Sequence, residues 1–242
     1  MLVHSDPLFT IFFGDKRDCF DLPRALEIQA PAILNENPFK KLIRSLKLHN
    51  LIFLRQMHNN DGLLISSKSQ ATALVPFMYE GDFLVTNISR IGLGIAAADC
   101  IPIIIFDKMR HVIAIVHAGW RGSIAQVAIK AIEKMQEEFQ VQLENVRIFM
   151  GPSAKGCCYV VGQNVLTEIE RYSYYEEVIY KTQGKIYVDL PLFNCLLLEK
   201  YGVKKEAFHL SYNLCTICDF SFCSYRRNGP MQWRQINVVM LK

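Results

Sequence analysis

Three residues of the kind that bind metals or act as nucleophiles sit at the ends of apolar runs. Asp99-Cys100 leads into the run 101–106, His117 closes the run 112–116, and His58 follows the short apolar segment 51–55. The runs 101–106 and 112–116 are joined by a charged turn at 107–110 and are too short for helices. They read as a buried antiparallel pair. Folding back at Lys108-Met109 brings Cys100 and His117 to one end of that pair. Two chemistries are open there. In a Cys–His nucleophilic pair the imidazole deprotonates the thiol and a third group orients the ring, as a metal-free cysteine hydrolase would require. In a catalytic zinc site, three Cys or His ligands leave a position for water or substrate. His58 is then the best third ligand, ahead of His4, His49, His111 and His209, which fall in a tail, at a helix end, in a turn and within a strand. The plainer alternatives are a polar turn residue for His58 and a small buried hydrophobe for Cys100.

After His117 comes AGWRGS, then a helical pattern. Ile124, Val127, Ala128, Ala131, Ile132, Met135 and Phe139 recur at i, i+3, i+4 spacing, with Lys130, Glu133, Lys134 and Glu137 on the outer face. Free N–H groups at that helix start, with Arg121 beside them, suit phosphate or another anion; a plain strand-to-helix turn is the alternative. Arg226-Arg227 form a second anion candidate, or a solvated surface pair. Cys215-x-x-Cys218 and Cys157-Cys158 are open to a second metal site, but a single C-x-x-C without a matching second pair is weak evidence for one, and they read as separate reduced thiols.

The elements that must position these residues are strands at 8–13, 51–55, 81–86, 91–98, 146–150, 208–212 and 236–241. Helices are expected from Asn37-Pro38 through the late 40s, over 164–172, and from Asp189-Leu190-Pro191 to a Gly202 stop. The stretch 15–36 reads as loop with at most a short helical piece. Gly92 and Gly94 suggest a close backbone approach within their strand. No repeat, linker or low-complexity segment interrupts the chain, so 1–242 reads as one domain.

Composition bounds the function. Of 242 residues, 51% are hydrophobic and 21% charged, and net charge is +4. That describes a globular chain rather than a disordered one. The basic excess is small and dispersed, which argues against nucleic acid. No apolar window is long enough to span a bilayer, and the start MLVHSDPLFT lacks a cationic, apolar leader. A cytoplasmic location follows as the expectation, with the eight cysteines reduced.

The motifs QMH (56–58), GDFLVTN (81–87), AADCIPI (97–103), HAGWRG (117–122), GPSAKGCCY (151–159), CT (215–216) and SYRR (224–227) occur in that order. Together they resemble the family once called multicopper polyphenol oxidases, or laccase-domain proteins, now associated with purine nucleoside phosphorylase activity. The resemblance runs from about residue 51 to 234. It implies an α+β domain of face-to-face packed mixed sheets covered by helices. It also implies zinc held by His58, Cys100 and His117, and phosphorolysis of adenosine, inosine, guanosine and methylthioadenosine together with adenosine deamination. One bacterial branch of the family is linked to cell-wall precursor fidelity.

The partners implied are purine nucleosides and phosphate, with neither nucleic acid nor membrane, and a monomer or small homo-oligomer. Water activated by zinc would serve deamination at purine C6. Arg121, with Cys100 and His117 in the catalytic group, would cradle phosphate, with Arg226 as a second contact. The chain departs from the family pattern in three places. A TRxGG-like N-terminal run is absent, GPSAKGCCYVV replaces GPAIGPCCYEV, and GPMQWRQ replaces a threonine–glycine–arginine segment, where Arg234 is in place to supply the arginine. Two other enzymatic readings, copper in the same site oxidising phenols and the cysteine hydrolase, stand beside this one. A zinc-stabilised binding module is the non-enzymatic reading. Copper oxidation is weakened because a multicopper centre needs more histidines than the six present.

Overall fold

A computed structural model describes residues 1–21, 39–229 and 233–242. Two large β-sheets form its centre. The first has the order β1 (Leu2–Ser5), β2 (Phe9–Phe13), β15 (Trp233–Leu241), β7 (Ile91–Ala97) and β4 (Asn50–Phe53), with β3 (Cys19–Asp21) paired to the start of β15. Its pairings are antiparallel except β4 with β7. The second has the order β14 (Phe208–His209), β10 (Val146–Met150), β8 (Ile101–Asp107), β9 (Val112–Ala118), β6 (Phe83–Thr86) and β5 (Gly62–Ile65). Here β14–β10 and β5–β6 are the parallel pairs. A small third sheet joins β11 (Val160–Val161), β13 (Lys185–Val188) and β12 (Ile179–Thr182).

The continuous apolar character of β8 and β9 has a simple cause: both faces of their sheet are buried. Ile104, Phe106, Ile113 and Ile115 face the first sheet and meet Phe9, Ile11, Leu93 and Val239. Their neighbours Ile103, Ile105, Ala114 and Val116 face the opposite way. There they meet α4 (Val127–Phe139) through Val127, Ala131 and Met135, and α7 (Leu190–Tyr201) through Phe193 and Leu197. On the far face of the first sheet, Phe12, Phe53, Ile236 and Val238 pack on α1 (Phe39–Leu46) through Phe39 and Leu42. Period-2 alternation thus feeds two cores from each sheet, and burial of each large side chain stabilises by about 1.5–3 kcal/mol. The result is the expected α+β sandwich of helix, sheet, sheet and helix.

The β8–β9 pair is antiparallel as read from the pattern, with Ile101 opposite Ala118. The expected close approach in β7 is also present: a Cβ on Gly94 would lie 2.4 Å from the Phe53 ring. In α7, Asp189 accepts a bond from the Leu192 amide at 2.9 Å, and Gly202 ends the helix at φ 114°.

Other expectations need correction. The helix after Gly119 is broken into α3 (Trp120–Ile124) and α4, because Gln126 adopts φ 62° between them. The strand expected at 208–212 is only the two residues of β14. β1, β5 and the β12–β13 hairpin are short and weakly patterned, and went unread. The remaining described helices are α2 (Lys68–Ala73), α5 (Gln163–Ile169), α6 (Tyr175–Val178) and α8 (Tyr225–Asn228). The Asn37-Pro38 helix start and most of the loop at 15–36 lie outside the described residues. Cys19 and Cys223 are joined by a disulfide, against the expectation of eight reduced thiols. Pairing of β3 with β15 places Cys19 opposite Gln235, whose side chain accepts the Cys223 amide, so the two thiols meet. No described helix is long and apolar enough to cross a membrane.

Candidate metal centre and its pocket

Cys100, His117 and His58 converge from three places in the chain. Cys100 stands in the tight turn between β7 and β8, His117 lies in β9 opposite Pro102, and His58 belongs to the segment between β4 and β5. Their ligand atoms all lie within 4.8 Å of one another. The two imidazoles meet edge to face at 4.8 Å between centroids. Two non-glycine residues here take left-handed backbone, His58 at φ 59° and Asp99, next to Cys100, at φ 83°. Strained backbone of this kind persists where the surroundings over-determine it, and it gathers at functional sites.

Asp82 holds the group together. It is buried at the head of β6, and its Oδ1 lies 2.8 Å from His117 Nδ1. Its Oδ2 accepts the amides of Met57 and Asn59 at 3.1 and 2.8 Å, clamping the backbone on both sides of His58. A carboxylate on Nδ1 fixes the tautomer and leaves Nε2 of His117 for a metal or a proton. Gln56 is locked in turn by paired bonds to Ala96, each 2.8 Å. Gly119 completes the cradle, since a Cβ there would stand 3.0 Å from the Cys100 sulfur and 3.2 Å from His58 Cδ2.

The electrostatics suit a thiolate. Burial pushes the Cys100 thiol up, but the charge of His117 and hydrogen bonds from both imidazoles outweigh this and hold it at about 6. Burial works against charge on His117 as well. The Cys100 thiolate and the Asp82 carboxylate outweigh it and raise His117 to about 9. One thiolate and two imidazoles, one of them backed by a carboxylate, form a donor set that fits zinc.

A cavity of about 420 Å³ opens over this group. Its wall includes Trp120, Arg121, Tyr159, Tyr225, Arg226 and Arg234. Each of the two expected anion-binding arginines lies against an aromatic ring: Arg121 Cζ is 4.2 Å from the Trp120 centroid, and Arg226 Cζ is 5.2 Å from that of Tyr159. The anion cradle expected from a long helix start is reduced, because α3 has only five residues and cannot build a macrodipole. Arg121 itself remains on the pocket wall.

Sequence reasoning missed Asp82, the clamp of the site, although an acid heading the apolar run FLVT was its signal. It also missed the role of Asp99. That carboxylate accepts Thr216 Oγ1 at 2.6 Å, Ser224 Oγ at 3.1 Å and the Arg226 amide at 2.7 Å, tying two distant loops to the turn that carries Cys100. Tyr159 and Tyr225 gave no signal beyond being aromatic.

The four remaining surface-side cysteines require the largest correction. Cys157, Cys158, Cys215 and Cys218, read as separate thiols, bring their sulfurs within 4.8 Å of one another. Burial and the Cys218 thiol push Cys157 up, and the same two causes push Cys158 up to about 11.

A sequence profile described as multi-copper polyphenol oxidoreductase laccase matches residues 30–242. A Clostridium acetobutylicum protein named purine nucleoside phosphorylase is 32% identical over 209 residues, covering 83% of this chain and 82% of its own. Adenosine deaminase RL5, from an unknown prokaryotic organism, is 30% identical over 81% of this chain and 76% of its own. Among solved structures, the hypothetical protein YfiH of Bacillus licheniformis superposes with a TM-score of 0.77 at 25% identity, covering 84% of this chain and 79% of that one.

Proposed function

The chain belongs to the multi-copper polyphenol oxidoreductase laccase family, and on that footing we propose that it is a zinc-dependent purine nucleoside phosphorylase that also deaminates adenosine. Adenosine, inosine, guanosine and methylthioadenosine are its proposed substrates, handled by one domain over 1–242 in the cytoplasm. The observation that carries the reading is the carboxylate-backed His117 packed with Cys100 and His58 at a cavity whose wall bears Arg121 and Arg226. Support comes from relatives named purine nucleoside phosphorylase and adenosine deaminase. The cavity volume suits a ligand of nucleoside size.

His58, Cys100 and His117 would hold the zinc, and Asp82 would keep His117 in the ligating tautomer. When bound, the ion supplies a Lewis acid that lowers the pKa of water toward neutrality. Arg121 and Arg226 hold phosphate by charge-assisted bonds, oriented by the rings beneath them. As the C1′–N9 bond breaks and positive charge gathers on the sugar, a phosphate oxygen bonds C1′, and the purine leaves with the electron pair and the proton that the phosphate gives up. Tyr159 and Tyr225 line the same cavity and supply aromatic surface beside the purine. Phenol oxidation by several coppers is disfavoured: among the described residues, His58–Cys100–His117 is the one metal-capable cluster that contains histidine.

The deciding experiment incubates purified protein with adenosine and phosphate and follows adenine, ribose 1-phosphate and inosine. Release of none of the three would refute the reading. Arg121→Ala should raise the phosphate KM; an unchanged KM and turnover would move the cradle elsewhere. Loss of activity together with one equivalent of zinc in His58→Ala would exclude the cysteine hydrolase.

A further inference from the structure

We propose that Cys157, Cys158, Cys215 and Cys218 form a second metal centre, a closed tetrathiolate zinc site that staples the wall of the pocket. This inference does not depend on the proposed reaction. It rests first on convergence. The four sulfurs come from two loops about sixty residues apart, yet all lie within 4.8 Å of one another. Cys218 Sγ is 2.9 Å from Cys158 Sγ and 3.5 Å from Cys157 Sγ. A regular tetrahedron with zinc–sulfur bonds of ~2.3 Å has sulfur–sulfur edges of about 3.8 Å. The observed cage needs only small side-chain adjustment to reach it.

The loop geometry favours the same ligand. Cys215-x-x-Cys218 is a turn that holds its two sulfurs on one side, within 4.8 Å of each other and of the facing pair. Cys157 and Cys158 follow one another in the facing loop and supply the second pair that the sequence lacked. The donors are all soft sulfur, and four of them fill a tetrahedron. This selects zinc over magnesium or calcium and leaves no position for substrate. Binding one Zn²⁺ displaces four protons and leaves the cluster with two negative charges. Two cations adjoin the cluster: Lys155, in the first loop, donates from Nζ to the Asn213 carbonyl at 3.1 Å, and Arg227, on α8, donates from Nη1 to the Thr216 carbonyl at 2.6 Å.

The consequence for the fold is local. Cys158 precedes Tyr159, which lines the pocket, and Cys215 precedes Thr216, whose hydroxyl bonds Asp99 beside Cys100. The two loops are otherwise joined by the amide of Thr216 to the Ser153 carbonyl, the amide of Ser153 to the Leu214 carbonyl, and the side chains of Asn213 and Lys155. A zinc ion held by all four sulfurs would pin the part of the wall that carries Tyr159.

Metal content by mass spectrometry, on protein purified under mild reductant and compared among variants, tests this. The expected result is two zinc ions per chain in the wild type, one in His58→Ala, and one in Cys215→Ser/Cys218→Ser. Because the double variant could fold poorly, His58→Ala is also stripped and titrated with Co²⁺. It should develop the intense visible absorption of a tetrahedral sulfur-ligated ion. A folded His58→Ala protein that binds no zinc and gives no such band overturns the proposal. So does a peptide map of protein purified without reductant and alkylated without reduction that finds Cys158 and Cys218 joined as a disulfide. Failure of the His58–Cys100–His117 reading would instead leave the zinc content of His58→Ala equal to that of the wild type.

Discussion

The molecule contains two sulfur clusters that differ in what surrounds the thiol. Cys100 lies between two imidazoles, and one of these is fixed by a buried carboxylate. Cys157, Cys158, Cys215 and Cys218 have mainly each other for company. The first cluster has three donors and opens on a cavity; the second has four and closes on itself. In zinc chemistry an open mixed site does reactions and a closed all-thiolate site holds structure. A hydrogen bond links the loops that carry the two clusters: Asp99 accepts from Thr216 of the cysteine loop and adjoins Cys100.

The sharpest way to break the comparison is His117→Ala. Turnover of purine nucleosides should vanish with one equivalent of zinc, while the second equivalent stays; loss of both would show that the clusters are not independent. Asp82→Asn keeps the size of the clamp but weakens its hold on His117. Removing such an outer partner typically costs 10–100-fold in metal affinity or activity, so a competition titration that finds affinity unchanged would count against Asp82 as the orienting group.

A third test uses pH on metal-stripped protein. Cys100 is held at about 6 and is thiolate above that pH, whereas Cys158 is pushed up to about 11 and stays a thiol until strongly alkaline conditions. The lower intrinsic nucleophilicity of a low-pKa thiolate offsets part of that gap, so at pH 7 a small aromatic disulfide should react with Cys100 roughly 30–100-fold faster than with Cys158. Equal rates by peptide mapping would remove the electrostatic contrast. The smallest effect belongs to the link between the clusters. Thr216→Val deletes a hydroxyl bonded to a carboxylate and should lower unfolding stability by about 1–3 kcal/mol, read from denaturant midpoints with an unchanged slope.

Much of the sandwich was legible because its signals are local. The β8–β9 pair, the inward stripe of α4 and the capped start of α7 follow from residues two to four positions apart. The break at Gln126 was not legible, since residues 123–130 contain no glycine or proline and a glutamine takes the left-handed turn. The short strands β1 and β5 exist because β2 and β6 pair with them along their whole length, so their own sequences carry little pattern.

By itself, the sequence determined which chemistries were available: a thiol before one apolar run, an imidazole after the next, and faces that alternate toward two cores. Strand order decided the rest. β6 delivers Asp82 to β9, where it meets His117 and holds the loop of His58, and the Ser153–Cys215 bridge brings two unmatched cysteine motifs together. Periodicity records only what neighbours along the chain must bury. A ligand set drawn from residues tens of positions apart is written in the pairing of strands and loops, and that pairing exists only once the sheets have closed on each other.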